Sequence, residues 1–280
     1  MRVFLSAIVA VAALQGGAAL AADMPVKAPV VPPAVASWTG FYVGINGGVG
    51  WGDRSARWSS GDTAGTTFLN IAFLSLLNGP DRSYDQRPDA VGVLGGLQAG
   101  YNQQWGRFLV GFEADIQASG IKGSEATTGA LGGSAITART EQQLDWFGTA
   151  RGRVGMLLWD QRILAYATGG LAFGHTEVTG DASMSNPFFI GAPPSDFNCP
   201  TAGLCISGSR SKTAAGWTAG GGAEMIVAGN VRLKVEYLHI DLGSESFRVV
   251  PVPPASGGGV INLRFNNSFD VVRAGLNFGF

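Results

Sequence analysis

Charged side chains that alternate with apolar ones are the residues whose spacing is most suited to chemistry. Arg232, Lys234 and Glu236 occupy every second position of one stretch, and Glu113 and Asp115 do so in another. Strict alternation predicts β-strands with one charged and one apolar face. Charged faces that enclose a narrow space either pair their charges or line a water path. The complete set is Glu113, Asp115, Arg151, Arg153, Glu224, Arg232, Lys234, Glu236 and Arg273.

Histidines offer little support for catalysis. The chain has His175 and His239, and neither belongs to an HxxxH or HExxH pattern. A nucleophilic triad needs a base within hydrogen-bond reach of both a nucleophile and an orienting acid. We therefore predict no enzyme, no metal site and no cofactor. A His–Ser or His–Asp pair assembled from loops stays open as an alternative, as does contact of these histidines with a ligand such as haem.

Cys199 and Cys205 are the two cysteines of the chain. In an exported protein a disulfide is their expected state, so we predict a bond that staples a loop. A metal site is the weaker alternative, because no histidine lies near this pair in the sequence.

The N-terminus predicts export. Arg2 precedes an apolar stretch from Val3 to Leu14, and Ala19-Leu20-Ala21 fits a cleavage site. We predict a secretory signal peptide over 1–21, with an uncleaved anchor as the alternative. A proline-rich periplasmic linker follows over 22–37.

Composition favours a lipid-facing sheet. Charged residues make up 14% of the chain, hydrophobic residues 46%, and there are 43 glycines. Average soluble domains carry about 25% charged residues. The net charge of -1 indicates no nucleic-acid partner.

The order of strands and connections predicts the architecture. The connections alternate: Trp105-Gly106, Asp160-Gln161 and Ala228-Gly229-Asn230 are short, whereas 52–90, 119–142, 176–213 and 243–268 are long and polar. Outer-membrane barrels sort loop length by end in this way. We predict an all-β, eight-stranded antiparallel transmembrane β-barrel over 38–280. The strands are 39–51, 91–104, 107–118, 143–158, 162–175, 214–227, 231–242 and 269–280.

The charged faces are predicted to point inward. An arginine on the lipid face near the midplane costs roughly 2–4 kcal/mol, and Arg151 and Arg153 both lie in mid-strand. Alternation alone leaves open a soluble barrel with the opposite orientation. The short turns predict that Gln98 pairs with Glu113, Arg153 with Thr168, and Glu224 with Lys234. Strand 162–175 is apolar on both faces and is not oriented by its sequence.

A family resemblance runs through the strands, including the segments from Ala150 to Gly155 and from Lys234 to Leu238. The segment from Trp38 to Gly48 resembles the opening strand of the small outer-membrane β-barrel surface antigens of alphaproteobacteria, often labelled porin-family or opacity-like proteins. The segment from Val271 to Phe280 looks like their last strand. The resemblance implies localisation in the outer membrane and no shared catalytic residues. It also implies that the barrel-assembly machinery reads Phe280 as an assembly signal.

Three functions follow as expectations. A structural or surface protein would contact outer-membrane lipid, lipopolysaccharide and host or surface ligands through its loops, with its charged lumen acting as a plug. A narrow porin for small solutes is the alternative. An enzyme at the rim is the least favoured.

Overall fold

The described part of the computed structural model comprises residues 37–53, 55–61, 83–131, 134–184, 204–251 and 260–280. The predicted signal peptide and most of the linker lie outside these ranges. Cys199 and the side chain of Cys205 also lie outside, so the disulfide stays a prediction. Within the described ranges, no helix is long and apolar enough to cross a membrane.

Strands account for almost all of the described chain. Their bounds are β1 Gly40–Asp53, β2 Ala56–Ser60, β3 Ser83–Gln86, β4 Asp89–Trp105, β5 Phe108–Leu131, β6 Ser134–Leu158, β7 Ile163–Met184, β8 Leu204–Ala228, β9 Val231–Pro251 and β10 Ile261–Gly279.

Eight of these strands form a closed ring. Neighbours pair antiparallel in the order β1-β4-β5-β6-β7-β8-β9-β10, and β10 pairs back to β1. The predicted eight-stranded antiparallel barrel is therefore confirmed. β2 and β3 form a hairpin that pairs with the first residues of β10.

Two of the three predicted register pairs are confirmed. Arg153 pairs with Thr168, and Glu224 pairs with Lys234. The third was wrong, because Gln98 pairs with Asp115. The turn lies at Gly106-Arg107, one residue later than predicted, where Gly106 adopts a φ of 60° that glycine accepts without strain. The pairing thus moves by two residues, and every side chain keeps its face.

Much of the predicted loop sequence is strand. Segment 119–142 was predicted as a loop, yet β5 runs through Leu131 and β6 begins at Ser134. Segments 176–213 and 243–268 likewise contain strand, and 52–90 contains the β2–β3 hairpin. The ring therefore extends beyond the predicted strands at the end opposite the short turns. We call this part the extension.

A bulge in β6 explains one error in the predicted faces. Alternation with the inward Arg151 and Arg153 predicts that Leu144 faces outward with Trp146, but the register shifts between these two residues and Leu144 is fully buried. Arg151 and Arg153 face inward below the bulge, whereas Arg139 and Glu141 face outward above it. The outward face thus changes from apolar to polar along a single strand.

The ring interior is filled in layers. The first apolar cluster, at the short-turn end, contains Trp38, Leu109, Leu157, Leu164 and Tyr166. The second lies beyond the charged residues and includes Phe147, Phe269 and Leu144. The third fills the extension around Trp58, Phe265 and Ile136.

Candidate functional site

The lumen brings together the charges identified from the sequence. The structure places all of Glu113, Asp115, Arg151, Arg153, Glu224, Arg232, Lys234, Glu236 and Arg273 inside the ring, each no more than 7% exposed. Among the described residues, no other charged side chain is buried. We call this set the lumen charges.

Glu113 is the first centre of the set. Its Oε1 accepts hydrogen bonds from Arg151 and from the Lys234 ammonium at 2.6 Å. Its Oε2 accepts from Tyr42 Oη at 2.7 Å and from Arg153 Nη1 at 3.3 Å. Lys234 lies on β9 and Glu113 on β5, so this contact joins opposite walls of the barrel.

Glu236 is the second centre. Its Oε1 accepts from Arg151 Nη1 and from Tyr166 Oη, each at 2.9 Å. Arg273 donates to Glu236 Oε2 at 2.7 Å and to Asp115 Oδ2 at 2.8 Å. Arg151 also reaches both centres, so the network crosses the lumen in several directions. Shared, multiple hydrogen bonds of this kind offset part of the cost of removing charges from water.

Arg153 and Arg232 extend the lumen charges toward the short-turn end. Arg153 donates to Glu224 Oε1 at 2.7 Å, and its guanidinium lies 4.7 Å from the centre of the Tyr166 ring. Arg232 stands apart from the carboxylates. It lies 4.7 Å from the Trp38 ring centre and donates to the Ser37 carbonyl oxygen at 3.2 Å.

Sequence analysis missed three aromatic members of the site. Tyr42 shares the inward face of its strand with Gly44 and Asn46, so alternation contained this signal. Tyr166 lies on the strand that the sequence did not orient, where Leu164 and Thr168 also face inward.

Trp38 is the third, and it lies inside the short-turn mouth rather than at the start of the wall. It is fully buried, and its indole donates to the Gln161 carbonyl oxygen at 2.8 Å. Because Trp38 precedes β1, strand periodicity carries no information on its direction.

Small residues make room for the large polar ones. Gly100 pairs with both Tyr42 and Glu113. A Cβ there would lie 2.5 Å from the Phe112 carbonyl oxygen and from Tyr42 Cζ. Glycines therefore recur beside bulky inward side chains because a ring of this diameter holds few of them at one level.

The histidines lie on the outer surface and are not arranged as a triad. His175 Nε2 lies 3.0 Å from Ser211 Oγ and 4.0 Å from Asp145, whereas Nδ1 faces Thr213. Asp145 lies beyond hydrogen-bond distance of Nε2, so this acid does not orient the imidazole toward either hydroxyl group.

The second histidine also pairs with an acid. His239 Nδ1 lies 2.8 Å from Asp270 Oδ1, which also accepts from Tyr237 Oη at 2.7 Å. In the part of the chain that the structure describes, no His, Cys, Asp and Glu side chains cluster as metal ligands.

Phe280 lies exposed at the short-turn end, and its amide donates to the Phe41 carbonyl oxygen at 2.9 Å. This hydrogen bond fastens the chain end to β1 beside the β1–β10 closure. Recognition of Phe280 by assembly machinery stays a prediction.

Comparison with known proteins finds similar chains among outer-membrane proteins. A family model described as an outer membrane protein beta-barrel domain matches residues 9–278. The 31 kDa outer-membrane immunogenic protein of Brucella melitensis is 34% identical over 278 residues, covering 98% of each chain. The 22 kDa outer membrane protein of Rhizobium leguminosarum is 28% identical over 222 residues, which are 79% of this chain and 71% of that protein. The solved structure of OprG from Pseudomonas aeruginosa matches 86% of this chain and 97% of its own, with 12% identity and a TM-score of 0.47.

Proposed function

The chain belongs to the outer membrane protein β-barrel domain family, and from that premise we propose that it is a non-conducting surface protein. As an outer-membrane β-barrel it has its short turns in the periplasm and its extension outside the cell. The extension then serves envelope structure and surface or host interaction. The name of the Brucella relative, an immunogenic outer-membrane protein, supports surface exposure.

The filled lumen carries the proposal that the barrel is closed. The lumen charges are held between the first and second apolar clusters, and the third cluster fills the extension above them. Trp58, Phe265 and Phe147 are at most 1% exposed. An ion on this route would have to displace packed aromatic side chains and break several charge pairs. These costs support a plug rather than a path.

One observation favours the narrow pore instead. Both side-chain polar atoms of Gln142 and of Asn267 are buried without a hydrogen-bond partner. Buried polar groups of this kind are normally satisfied by ordered water. A hydrated layer between the second and third apolar clusters would shorten the barrier that an ion meets.

Planar-bilayer recordings of the refolded mature protein separate plug from pore. We expect no reproducible conductance steps. Steps that change in Glu113→Gln or Arg151→Gln but not in Arg139→Gln would show that the lumen conducts. Arg139 is the matched control because it lies on the outward face of β6.

Surface labelling tests the orientation. In a Cys199→Ser/Cys205→Ser background, an impermeant maleimide should label Arg139→Cys on intact cells. Gln161→Cys, at a short turn, should react only after the outer membrane is opened. The reverse pattern would place the extension in the periplasm.

We propose no catalytic role for His175 or His239. The positions of their acids and hydroxyl groups support this, because neither forms a relay from acid through imidazole to a nucleophile. Hydrolysis of lipid or peptide by the wild type that His175→Ala or His239→Ala abolishes would overturn the proposal.

A further inference from the structure

The outer wall of the extension carries an arginine cleft that the proposed function leaves unused. The cleft is lined by Ser55, Arg57, Asp85, Arg87, Arg264 and Asn266 and has a volume of about 410 Å³. Its described lining residues supply three guanidinium groups and one carboxylate. A second carboxylate, that of Glu125, accepts a hydrogen bond from the Arg87 backbone amide at its edge. Positive charge is in excess even when both carboxylates are counted.

The register of the strands places like charges side by side in this cleft, which lowers the stability of the sheet. A contribution to stability therefore does not explain the cleft. Arg264 on β10 lies directly opposite Arg57 on β2. Like charges directly opposite one another in an antiparallel pair destabilise a sheet. Asp85 lies on the far side of Arg57, where Arg57 Nε and Nη2 bind its two oxygens at 2.6 and 2.8 Å.

The remaining arginines lack such compensation. Arg264 donates to Ser244 Oγ at 3.0 Å, and no described carboxylate forms an ion pair with Arg264 or Arg87. The hydrogen bond from Arg57 lowers the pKa of Asp85, and the charges of Arg57 and Arg87 add to that effect. The carboxylate therefore stays ionised and fully engaged, and the excess positive charge is available to an external anion.

The side chains point away from the barrel. Ala56 and Trp58, on either side of Arg57, are fully buried in the third apolar cluster, so the arginine faces out. The Arg57 and Asp85 side chains are 59% and 48% exposed. An anion can therefore reach the guanidinium groups from the side of the barrel.

The height of the cleft indicates which anion it meets. Trp51 pairs with Asp270, and with Trp217 and Tyr237 it is one of the exposed aromatic side chains at the outer ends of the predicted strands. Aromatic side chains on a barrel wall mark the edge of the hydrocarbon. Arg264 lies six positions farther along β10, or roughly 20 Å at about 3.3 Å per residue before allowing for strand tilt. A side-facing cleft at that height lies well above the hydrocarbon, at the level of the sugars of the outer leaflet.

We propose that the arginine cleft binds phosphate groups on the core sugars of lipopolysaccharide in the surrounding leaflet. Guanidinium groups match phosphate oxygens in paired hydrogen bonds, and neighbouring arginines can share one phosphate. Bound phosphate would relieve the repulsion between Arg57 and Arg264. This inference rests on the proposed outward orientation of the extension but not on the closed lumen.

The test uses the refolded mature barrel in detergent micelles, with native mass spectrometry to count bound rough-type lipopolysaccharide. The Arg87→Gln/Arg264→Gln variant should bind intact lipopolysaccharide about tenfold more weakly, since each lost contact is charge-assisted. Arg139→Gln/Arg210→Gln removes the same charge from elsewhere on the extension and should bind like the wild type. Lipopolysaccharide stripped of phosphate should bind every variant equally weakly.

Stability gives an independent readout. Because it removes a like-charge neighbour, Arg264→Gln should keep or raise the melting temperature of the ligand-free barrel. Equal binding of intact and dephosphorylated lipopolysaccharide would overturn the proposal, as would equal losses in the two double variants. Cleft-dependent binding of heparin without any effect on lipopolysaccharide would assign the cleft to a soluble polyanion instead. Surface labelling of Arg139→Cys separates a wrong ligand from a wrong orientation.

Discussion

Lys234 holds two buried carboxylates together. Its ammonium lies 2.6 and 2.8 Å from the Glu113 oxygens and 3.3 Å from Glu236 Oε1. The arginines around these acids each have other partners. The other cations among the lumen charges are arginines. Replacing Lys234 therefore removes one positive charge and leaves the hydrogen bonds of the neighbouring arginines in place.

Replacing this lysine should therefore be costly. Lys234→Met keeps the length of the side chain but leaves Glu113 and Glu236 short of a cation. We expect the free energy of unfolding to fall by about 3–5 kcal/mol. Denaturant titration of the barrel in lipid vesicles, followed by tryptophan fluorescence, measures this.

Lys212→Met is the matched control for that measurement. Lys212 pairs with Glu245 at 2.7 Å, but the lysine side chain is 49% exposed. Exposed pairs contribute at most about 1 kcal/mol. Equal losses in the two variants would show that Lys234 has no special role.

Residue direction was the most predictable part of the site. Alternation placed Arg151, Arg153 and Glu113 inside, because lipid excludes charge from one face and leaves the other as the only position. It could not show which acid meets which base. Contacts such as Lys234 with Glu113 cross the lumen and depend on ring diameter and strand stagger, which no local pattern encodes.

Glycines on one strand leave space for the side chains of the neighbouring strands. Gly100 faces inward between Tyr42 and Glu113, whereas Gly152 faces outward. A Cβ on Gly152 would meet nothing nearer than the Gly169 carbonyl oxygen at 3.9 Å. These two glycines therefore differ in their surroundings while sharing a β conformation.

Adding one methyl group should distinguish them. Gly100→Ala pushes against Tyr42 and the Phe112 carbonyl oxygen and should lower the free energy of unfolding by about 1–3 kcal/mol. Gly152→Ala should leave it unchanged or raise it slightly, because alanine reduces the freedom of the unfolded chain. The same denaturant titration compares the two, and a loss in both would point to a general intolerance of the wall.

The extension contains a seam between β3 and β5. The β4–β5 register ends where Val91 pairs with Lys122, and the side chains of β3 bridge the gap above. Tyr84 Oη lies 2.6 Å from Thr127 Oγ1, and Gln86 Nε2 donates to the same Thr127 oxygen at 3.3 Å. Among the described residues, no backbone pairing joins these two strands.

Hydrogen exchange should reveal this seam. Amides of 124–128 that point toward β3 should exchange on the order of tenfold faster than those of 138–142, the ratio that about 1.4 kcal/mol gives. Segment 138–142 is the internal control because β6 pairs with β5 on one side and β7 on the other. Equal protection of both segments would show that the seam is closed.

Strand ends were the least predictable elements. Within the membrane the outer face is apolar, but in the extension that face meets water and the inner face is apolar. Segment 119–142 therefore carries outward Lys122, Arg139 and Glu141, and its composition resembles a loop. The bulge between Leu144 and Trp146 reverses the faces without a proline or glycine signal at that point.

Strand β10 changes its pairing partner with height in the barrel. In the lower part β10 pairs with β1, from Tyr42 opposite Gly279 to Trp51 opposite Asp270. Higher up, β10 pairs with β2 from the inserted hairpin. The lower ring contains the lumen charges and backbone pairing on every side, so its stability should not depend on the hairpin.

This arrangement predicts a folded ring that resists detergent until it is heated. Unboiled outer-membrane fractions should show a band displaced from the boiled one on a denaturing gel, because a ring with every strand paired unfolds cooperatively.

Trp58→Ala removes a fully buried side chain that donates to Gln86 Oε1 at 2.9 Å, which should loosen the hairpin. The displaced band should persist in Trp58→Ala up to nearly the wild-type temperature, whereas in Lys234→Met it should vanish at a lower one. Identical mobility of boiled and unboiled wild type would count against the closed barrel, and equal melting of the two variants would show that the hairpin and the lower ring unfold as one unit.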